Sequence, residues 1–186
     1  ILSKILDANV EYAVYAPGSF STSAALGNPT DPSGGTQYVY AYQVFANPNG
    51  NLPVAVFSVG FDDLIDGAND LEQPENIGHL PGFSDPDVAP VAAFNPDNAP
   101  ETVKIAANWD FPAAGGLDPA APANSDVLIY TSPFGPERDR ASVIGGGLFA
   151  QNPLPSPVGV PEPTALVLAL LGMITAISYR QIAHRS

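Results

Sequence analysis

Apolar and polar side chains alternate with a period of two in several short runs, each bounded by turn-forming residues. Val10, Tyr12 and Val14 alternate with Glu11, Ala13 and Tyr15, the pattern of a half-buried strand that ends at Ala16-Pro17-Gly18. Residues 27–36, rich in Gly, Pro, Ser and Thr, are expected to be irregular. The strongest strand signal is 37–45, with Tyr38, Tyr40, Tyr42 and Val44 on one face and Val39, Ala41 and Phe45 on the other. Asn47-Pro48-Asn49-Gly50-Asn51 reads as a turn, because proline presets its first corner and glycine accepts a positive φ. The run 52–61 then returns, with Ala55, Phe57, Val59 and Phe61 on one side, so a hairpin is expected here. Apolar residues on both faces of 37–45 place that hairpin centrally in a sheet.

Residues 76–100 are punctuated by prolines and read as a long irregular connection. Val103, Ile105, Ala107, Trp109 and Phe111 alternate with Lys104, Ala106, Asn108 and Asp110, predicting a strand with a clean inner face. Residues 113–125 form another loop and 127–131 a short buried strand. Residues 141–151 read as one last strand, in which Gly145-Gly146-Gly147 suggests a bulge or a close backbone contact. Short strands at this spacing, with no long amphipathic helix, predict an all-β domain over residues 1–151, an antiparallel β-sandwich or jelly roll. Trp109, Phe57, Val59, Ile105 and Ile129 are its expected interior.

The pattern changes beyond residue 151. Residues 152–163 read as a Pro-rich linker, and 164–179 carry no charge and are mainly Ala, Leu, Val and Ile. As a helix that run extends roughly 24 Å, just short of a hydrocarbon core of about 30 Å. A single short transmembrane helix is expected, because an apolar run of this length has no partner surface unless lipid supplies one. Residues 180–186, with Arg180 and Arg185, form a basic cytoplasmic tail, and everything before Val160 lies outside.

Only Glu162 of the 19 acidic residues and only Arg180 and Arg185 of the 6 basic ones lie beyond Val160. The outer part therefore sets 18 acidic side chains against 4 basic ones. That balance repels phosphates and argues against nucleic acid as a partner. With no cysteine in the chain, neither a disulfide nor a thiol nucleophile is available. The sequence opens at Ile1 without a basic-then-apolar leader, so an upstream signal peptide is expected to precede it.

Val160, Pro161, Glu162 and Pro163, followed by the apolar run and then Arg180 and Arg185, resemble the PEP-CTERM sorting signal, which has the same three parts in the same order. Here the two arginines are spread apart by Gln181, Ile182, Ala183 and His184 in place of a tight cluster. The resemblance implies an exported protein, held transiently in the inner membrane. An exosortase partner would then remove the helix and release the protein to the cell envelope or to a polysaccharide matrix. The competing reading is a single-pass protein whose linker contains Pro-Glu-Pro by chance, since 153–163 holds five prolines.

Candidate chemistry in the outer part is sparse. His79 is the one histidine outside the tail, and no Gly-x-Ser-x-Gly elbow occurs. No catalytic residue is assigned, and the chain is read as not an enzyme. Asp62, Asp66 and Asp70 fall at the first, fifth and ninth places of a calcium-loop pattern with Gly67 at the sixth. Leu64 and Gln73 occupy places where ligands are expected. A solvated acidic loop is thus the plainer reading, with calcium as the one candidate cofactor. The expected function is a non-catalytic envelope or extracellular-matrix protein that associates with exopolysaccharide through aromatics such as Tyr15 or Tyr40. The alternative is a secreted carbohydrate-active enzyme, or a calcium-dependent carbohydrate-binding module, with the same sorting signal.

Overall fold

In a computed structural model the described residues are 3–61, 73–84, 89–96, 104–112, 115–120 and 123–157. They form nine strands: β1 Ala8–Tyr15, β2 Tyr38–Ala46, β3 Val56–Gly60, β4 Glu75–Leu80, β5 Val91–Asn95, β6 Ala106–Asp110, β7 Val127–Ser132, β8 Pro136–Gly145 and β9 Leu148–Pro157. Two antiparallel sheets result, one ordered β1-β2-β7-β4 and the other β5-β6-β3-β8-β9. The domain is all-β, as the alternation predicts. Consecutive strands pair only as β1/β2, β5/β6 and β8/β9, and every other connection crosses from one sheet to the other.

The sheets meet over a core built from alternate residues of each. Tyr40, Tyr42, Val44, Leu128 and Tyr130 come from one sheet, and Phe57, Val59, Ala107, Trp109, Ala141 and Val143 from the other. Trp109 is fully buried. Its ring stacks 5.8 Å from Phe57 and its indole Nε1 donates to the Gly78 carbonyl at 2.8 Å. The opposite face of β2 and β7 is also covered: Val39, Ala41, Val127 and Ile129 pack with Phe20 into a second, smaller cluster. Phe20 lies in a 3-10 turn, Phe20–Thr22, followed by a second, Ala24–Leu26, which Gly27 ends in the left-handed region. Both central strands are thus buried on two faces, as 37–45 and 127–131 anticipate.

Several expectations are corrected. Residues 37–45 and 52–61 do not pair: β2 lies between β1 and β7, while β3 lies in the other sheet between β6 and β8. The intervening segment gives up its first residues to the crossing, so β3 begins only at Val56. Ile105 is 47% exposed although Ala107, Trp109 and Phe111 are buried, because Lys104 takes the inward place and the alternation breaks ahead of β6. The stretch 76–100, read as irregular, contributes to β4 and supplies β5. These are short strands, and β4 carries a register shift between Glu75 and Gly78 beside Asn76 at φ 52°.

The last predicted strand is in fact a hairpin, β8 and β9, turned by Gly146 and Gly147 with φ of 55° and 81°. Positive φ at both central residues is what a tight two-residue hairpin turn demands. The expected close backbone contact is also present, since a Cβ on Gly145 would stand 2.0 Å from the Pro53 carbonyl oxygen.

β9 runs to Pro157, six residues into the assigned linker 152–163. Pro153, Pro155 and Pro157 recur with the strand period, opposite Arg140, Arg138 and Pro136 of β8. Residues of one parity turn their backbone nitrogens to the same side, so all three missing N–H groups can face outward at no cost to the ladder. Asn152, Leu154 and Ser156 remain to bond to β8. Over 153–157 the strand edge therefore offers no donor and resists pairing with another chain, whereas Phe149 and Gln151, of the same parity, keep theirs.

Candidate functional site

The residues singled out from sequence separate sharply. Val160, Pro161, Glu162, Pro163, Arg180 and Arg185, the apolar run 164–179 and the acidic loop with Asp62, Asp66 and Asp70 lie outside the described residues. Among the described residues no helix is long and apolar enough to cross a membrane, and no group of three His, Cys, Asp or Glu side chains could hold a metal ion.

Tyr40 is not a surface stacking residue. It is fully buried, lies parallel to Tyr130 at 4.9 Å and donates its hydroxyl to the Phe134 carbonyl at 2.9 Å. Tyr15 is half-buried, edge-on to Phe20 at 5.1 Å. The Tyr42 hydroxyl donates to the Pro155 carbonyl of β9 and so accepts from Tyr130 at 3.2 Å. Burial holds the Tyr40, Tyr42 and Tyr130 hydroxyls well above the usual tyrosine range.

His79 lies on β4, not in a loop, opposite Leu128 of β7. Its Nδ1 stands 2.9 Å from Oδ2 of Asp126. The other oxygen, Oδ1, accepts the backbone N–H groups of Phe83 and Ser84 at 3.1 Å each. Asp126 is fully buried and has a donor on each oxygen, so it pins the 83–84 segment across the smaller core. Gln43 Nε2 donates to the Phe83 carbonyl at 3.1 Å and to the Ser125 carbonyl at 3.0 Å, extending the same clasp. The geometry is that of a structural tie. Sequence reading passed over Asp126, whose only signal is an acid directly ahead of the wholly apolar Val127-Leu128-Ile129-Tyr130.

Two open features remain. A cleft of about 380 Å³ enters between the sheets where edge strands β1 and β9 approach, lined by Ala8, Val10, Phe57, Val143, Asn152 and Leu154 among others. The second feature is the outer face of the five-stranded sheet. The pairings align two rows across all five strands. One is Val91, Asp110, Val56, Ile144 and Phe149; the next is Ala93, Asn108, Ser58, Ser142 and Gln151. The first row is apolar except for Asp110, with Phe149 70%, Val91 58% and Ile144 39% exposed. The second carries two carboxamides and two hydroxyls and no charge. By strand geometry the rows are about 7 Å apart and each spans about 19 Å.

No family model matches the chain, and no curated protein matches it.

Proposed function

We propose that the chain is an exported, non-catalytic protein of the cell envelope or extracellular matrix, whose segment 160–186 is a sorting signal processed by an exosortase. The observation that carries this reading is the order Pro161-Glu162-Pro163, uncharged apolar run, Arg180 and Arg185. The proline-rich approach to the motif is shorter than its composition suggests, because Leu154 and Pro155 belong to β9 and the ladder ends at Pro157. Three residues lie between Pro157 and Pro161, so four Cα-to-Cα steps join them. They reach at most about 14 Å, so the processing enzyme meets its motif close against the folded domain. The structural use of Asp126 and His79 supports a non-catalytic role.

Intact-mass measurement of the mature protein from its native host tests the proposal. A mass lacking the residues that follow the Pro-Glu-Pro motif is expected. A mature pool that keeps every residue through Ser186 would leave a single-pass membrane protein instead.

A further inference from the structure

We propose that β1 is a self-association edge: two copies of the chain pair through their β1 strands, antiparallel about a two-fold axis at Tyr12, into one continuous sheet. The pairing uses only residues 8–15 and is independent of the sorting signal.

Each sheet has two edges, and β4, β5 and β9 are guarded. Over 153–157 the prolines of β9 remove its outward donors. β4 is broken by its register shift beside Asn76, and β5 is five residues long and set between Pro90 and Pro96. β1 has none of these devices: its eight residues contain no proline or lysine and keep an unbroken register with β2. The Asn47 N–H donates to the Asp7 carbonyl at 3.0 Å, so the odd-numbered residues of β1 face β2. Ala8, Val10, Tyr12 and Val14 therefore direct their backbone N–H and C=O groups at the open edge, where no hydrogen bond from a described residue reaches them.

The sequence of the strand selects a second copy as the partner. Isologous pairing needs a self-complementary edge, and β1 carries Val10-Glu11-Tyr12-Ala13-Val14, whose core-side residues read alike in both directions. An axis at Tyr12 sets Tyr12 against Tyr12 of the second copy and Val10 against Val14 of the second copy, each pair exchanging both backbone hydrogen bonds. Glu11, the single charged residue of β1, then faces Ala13 and not its own counterpart. An axis at Glu11 would bring the two carboxylates face to face, and one at Ala13 would set Val10 beyond the end of the opposing β1. Tyr12 is 47% exposed although it shares a face with Val10 and Val14, which pack against the core. The larger sheet thus stops short of Tyr12, and the tyrosine pair covers that gap. The net charge of −13 opposes association at long range, so screening by salt strengthens the dimer.

With no cysteine in the chain, single-cysteine variants read the register directly. The full chain is purified in mild detergent, oxidised with copper phenanthroline and run on non-reducing gels. Tyr12→Cys should form a covalent dimer, because the Cα atoms of a hydrogen-bonded pair stand about 5.5 Å apart, within disulfide reach. Glu11→Cys alone and Ala13→Cys alone should not, since each lies about 8 Å from its counterpart, whereas a mixture of the two should cross-link. In the Tyr12→Cys background, Ala13→Glu sets a second acid against Glu11 on both sides of the axis and should weaken association roughly tenfold, while Ala13→Lys should strengthen it. The yield should rise between about 0.01 and 0.15 M salt. Ala13 is exposed, so an unchanged melting midpoint serves as the folding control. The pairing is overturned if Tyr12→Cys gives no dimer, or if positions 11, 12 and 13 cross-link equally, as chance encounter or association through the tail would produce. A Glu11→Cys dimer in place of the Tyr12→Cys one, an undiminished yield with Ala13→Glu, or a yield that falls with salt overturns it as well.

Discussion

Replacing Trp109 by alanine removes the side chain on which both sheets converge. The indole touches Phe57 at 5.8 Å, Tyr130 at 6.2 Å and Tyr42 at 6.3 Å between ring centroids, so no single neighbour can swing in to fill the space. Truncation of a buried tryptophan costs about 3 to 5 kcal/mol. The Gly78 carbonyl also loses its 2.8 Å donor, which adds about 1 kcal/mol. Against a total stability on the order of 5 to 15 kcal/mol, and at about 2 to 4 °C per kcal/mol for a domain of this size, the melting midpoint should fall by roughly 10 to 20 °C. Trp109→Phe keeps a ring in the stack but has no donor, and should cost about 1 to 2 kcal/mol. Calorimetry or far-ultraviolet circular dichroism must follow the variants, because Trp109 is the sole tryptophan and its fluorescence disappears with it. An alanine variant melting within about 3 °C of wild type would refute the reasoning.

Asp126→Ala leaves His79 and the Phe83 and Ser84 amides without their acceptor and should cost about 3 kcal/mol. His79→Ala leaves Asp126 with both backbone donors and should cost about 1 kcal/mol; urea midpoints in the reverse order would contradict the clasp. The Tyr40, Tyr42 and Tyr130 hydroxyls titrate above their unfolded value of about 10. Their contribution is therefore intact below pH about 10. It falls as pH rises beyond that point, by roughly 4 kcal/mol per pH unit for the three together, because the unfolded chain loses protons that the fold retains. Tyrosinate absorbance from three of the seven tyrosines should accordingly appear only with unfolding, and titration of all seven in a still-folded protein would exclude this. Gly145→Ala places a methyl against the Pro53 carbonyl, 2.0 Å from an ideal Cβ, and should cost on the order of 1 to 3 kcal/mol by overpacking, read as a lowered urea midpoint.

Period-two alternation was enough to read the all-β class, the double burial of β2 and β7 and the interior place of Trp109, because each depends only on which side of a strand a residue faces. What alternation cannot encode is which strand lies beside which. The Asn47-Pro48-Asn49-Gly50-Asn51 turn looks alike whether it closes a hairpin or carries the chain between sheets, and here it does the latter. Tyr40 seemed available to a ligand because its face was legible while the sheet that covers it was not. The row Asn108, Ser58, Ser142 and Gln151 comes from four separate strands, so only the register brings it together. β4 and β5 stayed hidden because a bulge, Asn76 at positive φ and flanking prolines erase the alternation in strands of six and five residues.

The position of β9 sets a schedule for folding. A chain emerging from its N-terminus completes the smaller sheet once β7 is out, since β1, β2 and β4 come earlier. The larger sheet must wait for residue 157. Until then Leu154 is missing from the core, the Tyr42 hydroxyl lacks its Pro155 acceptor, and the Gly60 carbonyl lacks the Ser156 hydroxyl that bonds it at 2.6 Å. The last stitches of the domain are thus held in the segment nearest the Pro-Glu-Pro motif. A chain cut short before β9 would carry an unfinished seam, and completion of the domain certifies that synthesis has reached the threshold of the tail.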